Sequence, residues 1–352
     1  NQEQDIGLIA LDDFITAMDF DVKWSIRQAR SITWWGFDLA QTIWVDEPVE
    51  DSDFSVAKIH AKTDIWKDVL DDPKADFFVS TLNIQASLNG LIYEKKKPDS
   101  LFYDKKKSAV SLYCSAYIHE ENRSFIGTIF KLAAAIQAAD ALIKANIPTE
   151  PILEAQMVRN STGHPTSGMR DHFVNMTEVI KDFVRPHGDK ESPFCEADFT
   201  ALKNIDSNPS IMTNAGETGV TAEFPVMERG LSSINVTMED STYSPGTALF
   251  EATNKEVYPQ LGSGCLTKLT LPIGKNDEDV ANSLNFLEMF SNNQTHFLGS
   301  WCKGPNGITY ISFIPTAIYQ PFLLNGLFHN YSAKAQWATN LLLQTYGEQH
   351  GE

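Results

Sequence analysis

The feature that most constrains the fold is an internal echo. "FVSTLNIQASLNGLIYEKKK" (Phe78 to Lys97) is partly repeated by "VANSLNFLEMFSNNQTHFLGSWCK" (Val280 to Lys303). Leu82-Asn83 falls on Leu284-Asn285 at an offset of 202, and downstream Gln137 falls on Gln336 at 199, where Leu112 meets Ile311 and Cys114 meets Phe313. The contraction of three falls at a hairpin tip, where the tighter "KGPNG" replaces a lysine-rich turn. A repeat of about 200 residues is far longer than the roughly 20–50 of a solenoid, so it predicts a tandem of two domains. The length of 352 residues agrees, since a single hydrophobic core stops growing at about 250–300.

The order of elements follows from periodicity. Residues 12–30 carry Phe14, Ile15, Met18, Val22, Ile26 and Ala29 at helical spacing. "ITWWGFD", "TIWVDEPV" and "FSVAKIHAKTDIW" are rich in β-branched and aromatic residues and read as strands. A helix then starts at Asp72-Pro73 and runs toward Gly90, followed by strands "LIYEKKK", "LFYDKKK" and "SAVSLYCSAYI" and a long apolar helix from Phe125 to Ile143. In the second half, "TALFEATNKEVY" and "GCLTKLTLPI" stand where the early strands stand, and Asn276-Asp277-Glu278-Asp279 starts the matching helix. Repeat 1 is placed at 1–147 and repeat 2 at 148–352. The span 148–215 is a loop-rich connection whose "MRDHFVNMTEVIKDFV" (Met169 to Val184) supplies the first helix of the second copy.

This order resembles the type III secretion chaperone-like fold, a class that includes the bacterial YbjN-like proteins. The residues that carry the resemblance are "VSTLNIQASLNGLIYE", "SLYCSAYIHE" and "SFIGTIFKLAAAIQAADAL", with "ANSLNFLEMF", "ITYISFIPTA" and "FLLNGLFHNYSAKAQWATNLL" in the second copy. It implies an α+β fold of two similar repeats, each an antiparallel sheet packed with helices, forming an internal pseudo-dimer. It also implies function by binding partner proteins, with the chain a monomer or a homodimer.

Charge narrows the partners. A net charge of -18 disfavours nucleic acid, which is bound by basic surfaces that release counterions. The local exception is Lys95, Lys96 and Lys97 with Lys105, Lys106 and Lys107, read as a solvated hairpin guarding a sheet edge. No apolar run suggests a membrane span, and four scattered cysteines without a CxxC spacing fit reduced thiols, so the expected location is cytoplasmic.

Chemical signatures are weak. Cys114 and His119 lie five apart on a strand and so face opposite sides. "HPTSGMRDH" offers His164, Asp171 and His172, with His187 beyond, in no metal-ligand spacing. "GSGC" and "NAGETG" lack the strand-to-helix context of a phosphate loop and read as turns. No catalytic residue, metal site or cofactor is expected. The candidate binding residues are Trp34, Trp35, Trp44 and Trp66, together with Lys95, Lys96 and Lys97. Adjacent Trp34 and Trp35 must face opposite sides, so one is exposed unless both sheet faces are covered, and an exposed Trp is a good anchor. The leading expectation is a non-enzymatic protein- or peptide-binding protein. The alternative is an enzyme with its site in a cleft between the repeats.

Overall fold

The computed structural model describes residues 5–35, 39–51, 54–69, 73–95, 108–149, 155–158, 192–205, 211–226, 246–258, 261–271, 277–291 and 294–346. The chain divides into two compact units. Unit 1 comprises Asn1–Val79, Leu88–Arg185 and His296–Leu298; unit 2 comprises Ser80–Ser87, Pro186–Thr295 and Gly299–Glu352.

Unit 1 opens with helix α1 (Ile6–Met18). Asp5 caps it, its carboxylate accepting from Leu8 N at 3.0 Å, and Asp19 ends it in the left-handed region at φ 47°. The helix expected over 12–30 is therefore displaced. After Asp19 the chain makes one 3-10 turn and enters β1 (Ser25–Arg27), because Asp21 caps that turn and redirects the backbone. The strands that follow are β2 (Ser31–Trp35), β3 (Ala40–Val45), β4 (Val49–Asp51) and the 16-residue β5 (Phe54–Val69). Helix α2 (Pro73–Asn83) starts at its proline but stops well before Gly90, which instead begins β6 (Gly90–Glu94). Then come β7 (Ser108–His119), α3 (Arg123–Ala145) and β8 (Gln156–Met157).

The first sheet runs β1-β2-β3-β5-β7-β6, antiparallel throughout, with β4 and β8 also paired to β5. Residues 156–157, assigned from sequence to the second repeat, thus complete the first sheet. The strand expected at "LFYDKKK" and the helix expected at Met169 to Val184 lie outside the described residues.

Unit 2 contains α4 (Glu196–Ala201), β9 (Ile211–Gly216), β10 (Gly219–Pro225), β11 (Thr247–Thr253), β12 (Val257–Tyr258) and β13 (Gly262–Thr270). It closes with α5 (Glu278–Phe290), β14 (Ser300–Gly304), β15 (Gly307–Pro315) and α6 (Leu323–Tyr346). The acidic turn does cap α5: Asp277 accepts from Val280 N at 2.8 Å, with Glu278 and Asp279 in the first turn complementing the helix dipole. The second sheet runs β9-β10-β11-β13-β15-β14, antiparallel, with β12 on β13. "NAGETG" is the β9–β10 turn, whereas "GSGC" is the start of β13. At Gly264 a Cβ would lie 2.3 Å from Ile314 O, so glycine there permits close approach of β15.

The two sheets share strand order, and in each a helix leads from the fourth strand of that path to the sixth while another helix follows the fifth. The registers correct the sequence alignment. Ser31 opens β2 opposite Trp44, and Gly219 opens β10 opposite Thr253. Counting across the ladders then matches Thr42–Lys62–Tyr113 with Glu251–Lys268–Ile311, an offset of 198 on the last strand rather than 199. A slip of one residue turns every side chain to the other face of a sheet. Gln137 is fully buried, whereas Gln336, its supposed partner, is exposed; Ala335, one residue earlier, is buried.

Helix α3 is long and apolar enough to cross a membrane by length and composition, yet two-thirds of its most apolar stretch is buried within the protein. It lies on the face of the first sheet formed by Ile43, Ala61 and Cys114, where Gln137 Nε2 donates to Ala61 O (3.0 Å) and Cys114 Sγ (3.6 Å). Gln137 Oε1 accepts from Gln41 Nε2 (2.8 Å) and Thr63 Oγ1 (3.0 Å), and Gln41 Oε1 accepts from Trp34 Nε1 (2.9 Å). At the matching place in unit 2 the core is aromatic, with Phe250 against Phe328 and Tyr331 at ring distances of 5.2 and 5.0 Å.

Candidate functional site

The face of each sheet that carries these helix-facing residues is filled. The opposite, outer faces differ. On the first sheet the outer face is closed around His60, 3% exposed. Trp44 stacks on it with ring centroids 4.6 Å apart and planes parallel, Tyr113 Oη lies 2.7 Å from Nδ1, and an Asp46 oxygen lies 2.9 Å from Nε2. Phe297 then covers Tyr113 at a ring distance of 5.2 Å, held by reciprocal backbone bonds with Ser115 of 3.0 and 2.9 Å. Lys62, on the neighbouring row, pairs with Glu94 and with Asp64.

An Asp–His–Tyr chain is a familiar way to move a proton, but here Tyr113 is fully buried, so the chain ends inside the protein. Its effect is on stability. Burial pulls the His60 pKa below its ordinary 6.5 even though Asp46 opposes the shift. A histidine held neutral in the fold takes up a proton more readily when unfolded, so stability present above pH 6.5 is lost as the pH falls below it. The loss continues until the lowered folded value is reached. Urea unfolding between pH 8 and 5 should show this slope in the wild type and a shallower one in His60→Phe; equal slopes would refute it.

On the second sheet the corresponding outer rows are Thr253–Leu266–Phe313 and Glu251–Lys268–Ile311, followed by Thr270–Thr309–Cys302. Leu266 from the first of these rows and all of the other two floor a groove of about 390 Å³, rimmed by Ile84, Glu256 and the β14–β15 turn from Lys303 to Asn306. A second hollow of about 270 Å³ shares Glu251, Leu266 and Lys268 with it. Lys268 is half-buried and, among the described residues, has no ion-pair partner within 4.0 Å. Glu251 sits directly opposite on β11, but its carboxylate is exposed and makes no pair with Lys268. Lys303 is engaged with Glu278 at 3.1 Å. The chemistry offered is therefore a cation at the middle of a partly apolar trough.

No protein-family model, curated protein or solved structure matches this chain.

The expected aromatic anchors lie elsewhere. Trp34 and Trp35 are both buried, so both faces of β2 are covered and the anticipated exposed tryptophan is absent from this pair. Trp66 is buried against Phe78 (5.7 Å), and Trp44 is half-buried in the His60 stack. Lys95 pairs with Asp76 at 2.7 Å and lies 5.3 Å from the Tyr93 ring centre; Lys96 and Lys97, like His164, Asp171, His172 and His187, lie outside the described residues. Lys268 and the Glu251 opposite it were not singled out from sequence. The signal was the lone charge inside the alternating "CLTKLTL", a pattern that puts Leu266, Lys268 and Thr270 on one face.

Among the described residues, no three His, Cys, Asp or Glu side chains converge to hold a metal. Burial pushes the thiols of Cys265 and Cys302 up to about 12 and raises Cys114 further, whereas Cys195 is exposed. Under native conditions a maleimide should label Cys195 fast and the other three only on unfolding; rapid labelling of Cys302 would show that the groove floor is open to reagents.

Proposed function

We propose that this chain is a non-enzymatic protein- or peptide-binding protein, an adaptor or chaperone-like molecule built from two copies of one α+β unit. Its binding surface is the outer face of the second sheet. The observation that carries the reading is the difference between matched positions. Lys62 is neutralised by two carboxylates on a face closed by Trp44, Tyr113 and Phe297, while Lys268 lines a groove and, among the described residues, makes no ion pair. A cation in a groove that pairs with no described carboxylate suits a surface completed by a ligand. The type III secretion chaperone-like resemblance, with partner binding as its mode of action, points the same way.

Selection of peptides from a random library against the full chain tests the proposal. Bound peptides should lose at least about tenfold in affinity to Ile84→Arg, at an exposed rim position, and to Leu266→Arg on the floor, each introducing a buried or clashing charge. Failure to enrich any peptide, or binding indifferent to both substitutions in folded protein, would refute it.

A further inference from the structure

Resting on that reading, we infer that the groove recognises an acidic side chain, presented by an extended segment with an apolar residue two positions away. Leu266 and Lys268 are two apart on β13 and share its outer face, a separation of about 6.5–7 Å, the same as between alternate side chains of any extended peptide. A segment laid along β13 therefore sets one side chain over Lys268 and the next on that side over Leu266, whose surroundings include Ile84 and Ile311. The ammonium of Lys268 supplies donors and a full charge, and it has no ion-pair partner among the described residues. A carboxylate is the group that satisfies both.

The remaining charges around the groove set the polarity of the segment. Glu251 and Glu256 line the side toward β11 and β12, both exposed, so a second acid pointing that way meets repulsion. Lys303, at the opposite side, is held by Glu278 and competes little for the ligand. With a net charge of -18, the protein as a whole repels acidic segments, so preference for one must come from short range, within about a Debye length of Lys268. Recognition is then a matter of one acid in one place, not of a generally acidic partner.

The test uses peptides selected on the full chain and measures affinity by calorimetry. Selected peptides should share an Asp or Glu two positions from an aliphatic residue. Replacing that Glu by Gln should weaken binding to wild type by about tenfold to hundredfold, the range for hydrogen bonds to charged groups. Lys268→Met should abolish the difference between the Glu and Gln peptides, and Lys268→Glu should reverse it. If selected peptides are neutral yet sensitive to Ile84→Arg, the binding reading survives and the acidic preference is overturned. If Lys268→Met keeps the wild-type Glu/Gln ratio, Lys268 is not the recognising group and the inference falls. If nothing is enriched, both fall together. Lys268→Arg, which keeps the charge, should retain the preference and so separates loss of charge from loss of fold.

Discussion

Lys334→Met should destabilise unit 2 by about 3–5 kcal/mol, because it leaves the fully buried Glu288 carboxylate without its cation. Both side chains of this pair are completely buried. Glu288 also accepts from Trp301 Nε1 at 2.8 Å and from Thr295 Oγ1 at 3.1 Å, and Lys334 Nζ lies 4.2 Å from the centre of the Tyr310 ring. Burial pulls the Lys334 pKa below its ordinary 10.5, more than the neighbouring Glu288 carboxylate raises it. Adding Glu288→Gln to Lys334→Met should restore most of the loss, since glutamine still offers an oxygen to Trp301 without a charge to bury. Urea unfolding with hydrogen exchange in β14 and α6 as the local readout would check both. A double variant no more stable than the single one would mean that the pair is not the source of the effect.

The second large effect is expected in unit 1. Gln137→Leu should destabilise it by about 2–4 kcal/mol, because the Thr63 hydroxyl and one Gln41 N–H lose their acceptor at about 1–3 kcal/mol each. Thr63→Val on that background should recover part of the loss by removing one of the stranded donors, a coupling that a double-mutant cycle measures directly. Additive losses would show that the two side chains do not act through one network. The equivalent substitution in unit 2 has no counterpart to disturb, since Ala335 occupies the place and the surrounding core is Phe250, Phe328 and Tyr331.

The order of helices and strands was readable in the sequence because it is written in local periodicity: the cap at Asp277, the alternation of β7 and the stripe of α3 are each decided within a dozen residues. What failed was decided farther away. The end of α1 depends on Asp19 taking a left-handed conformation, which apolar spacing cannot show. The offset between the two halves could be fixed only by hairpin registers, and with a side-chain period of two an error of one residue misassigned Cys114 and Gln137 to exposed or outward-facing partners. Alternation correctly puts Trp34 and Trp35 on opposite faces, but whether the second face is covered is a property of the packed sheet. The groove at Lys268 was missed for the same reason: a charge in a strand is ordinary until the fold shows that none of the described residues forms an ion pair with it.

The segment His296–Leu298 belongs to unit 1 although almost everything else in that unit precedes it by more than a hundred residues. His296 Nδ1 accepts from Tyr117 N, a bond that spans 179 residues of sequence, and Phe297 beside it covers Tyr113. During synthesis at about 5–20 residues per second, the ribosome would deliver this cover on the order of tens of seconds after β7 itself has emerged. Until then Tyr113 and the backbone of Ser115 face solvent or a substitute. The amino-terminal unit is therefore first to begin folding without being first to finish, and nascent chains stalled before residue 296 should remain open to proteases and to holding chaperones.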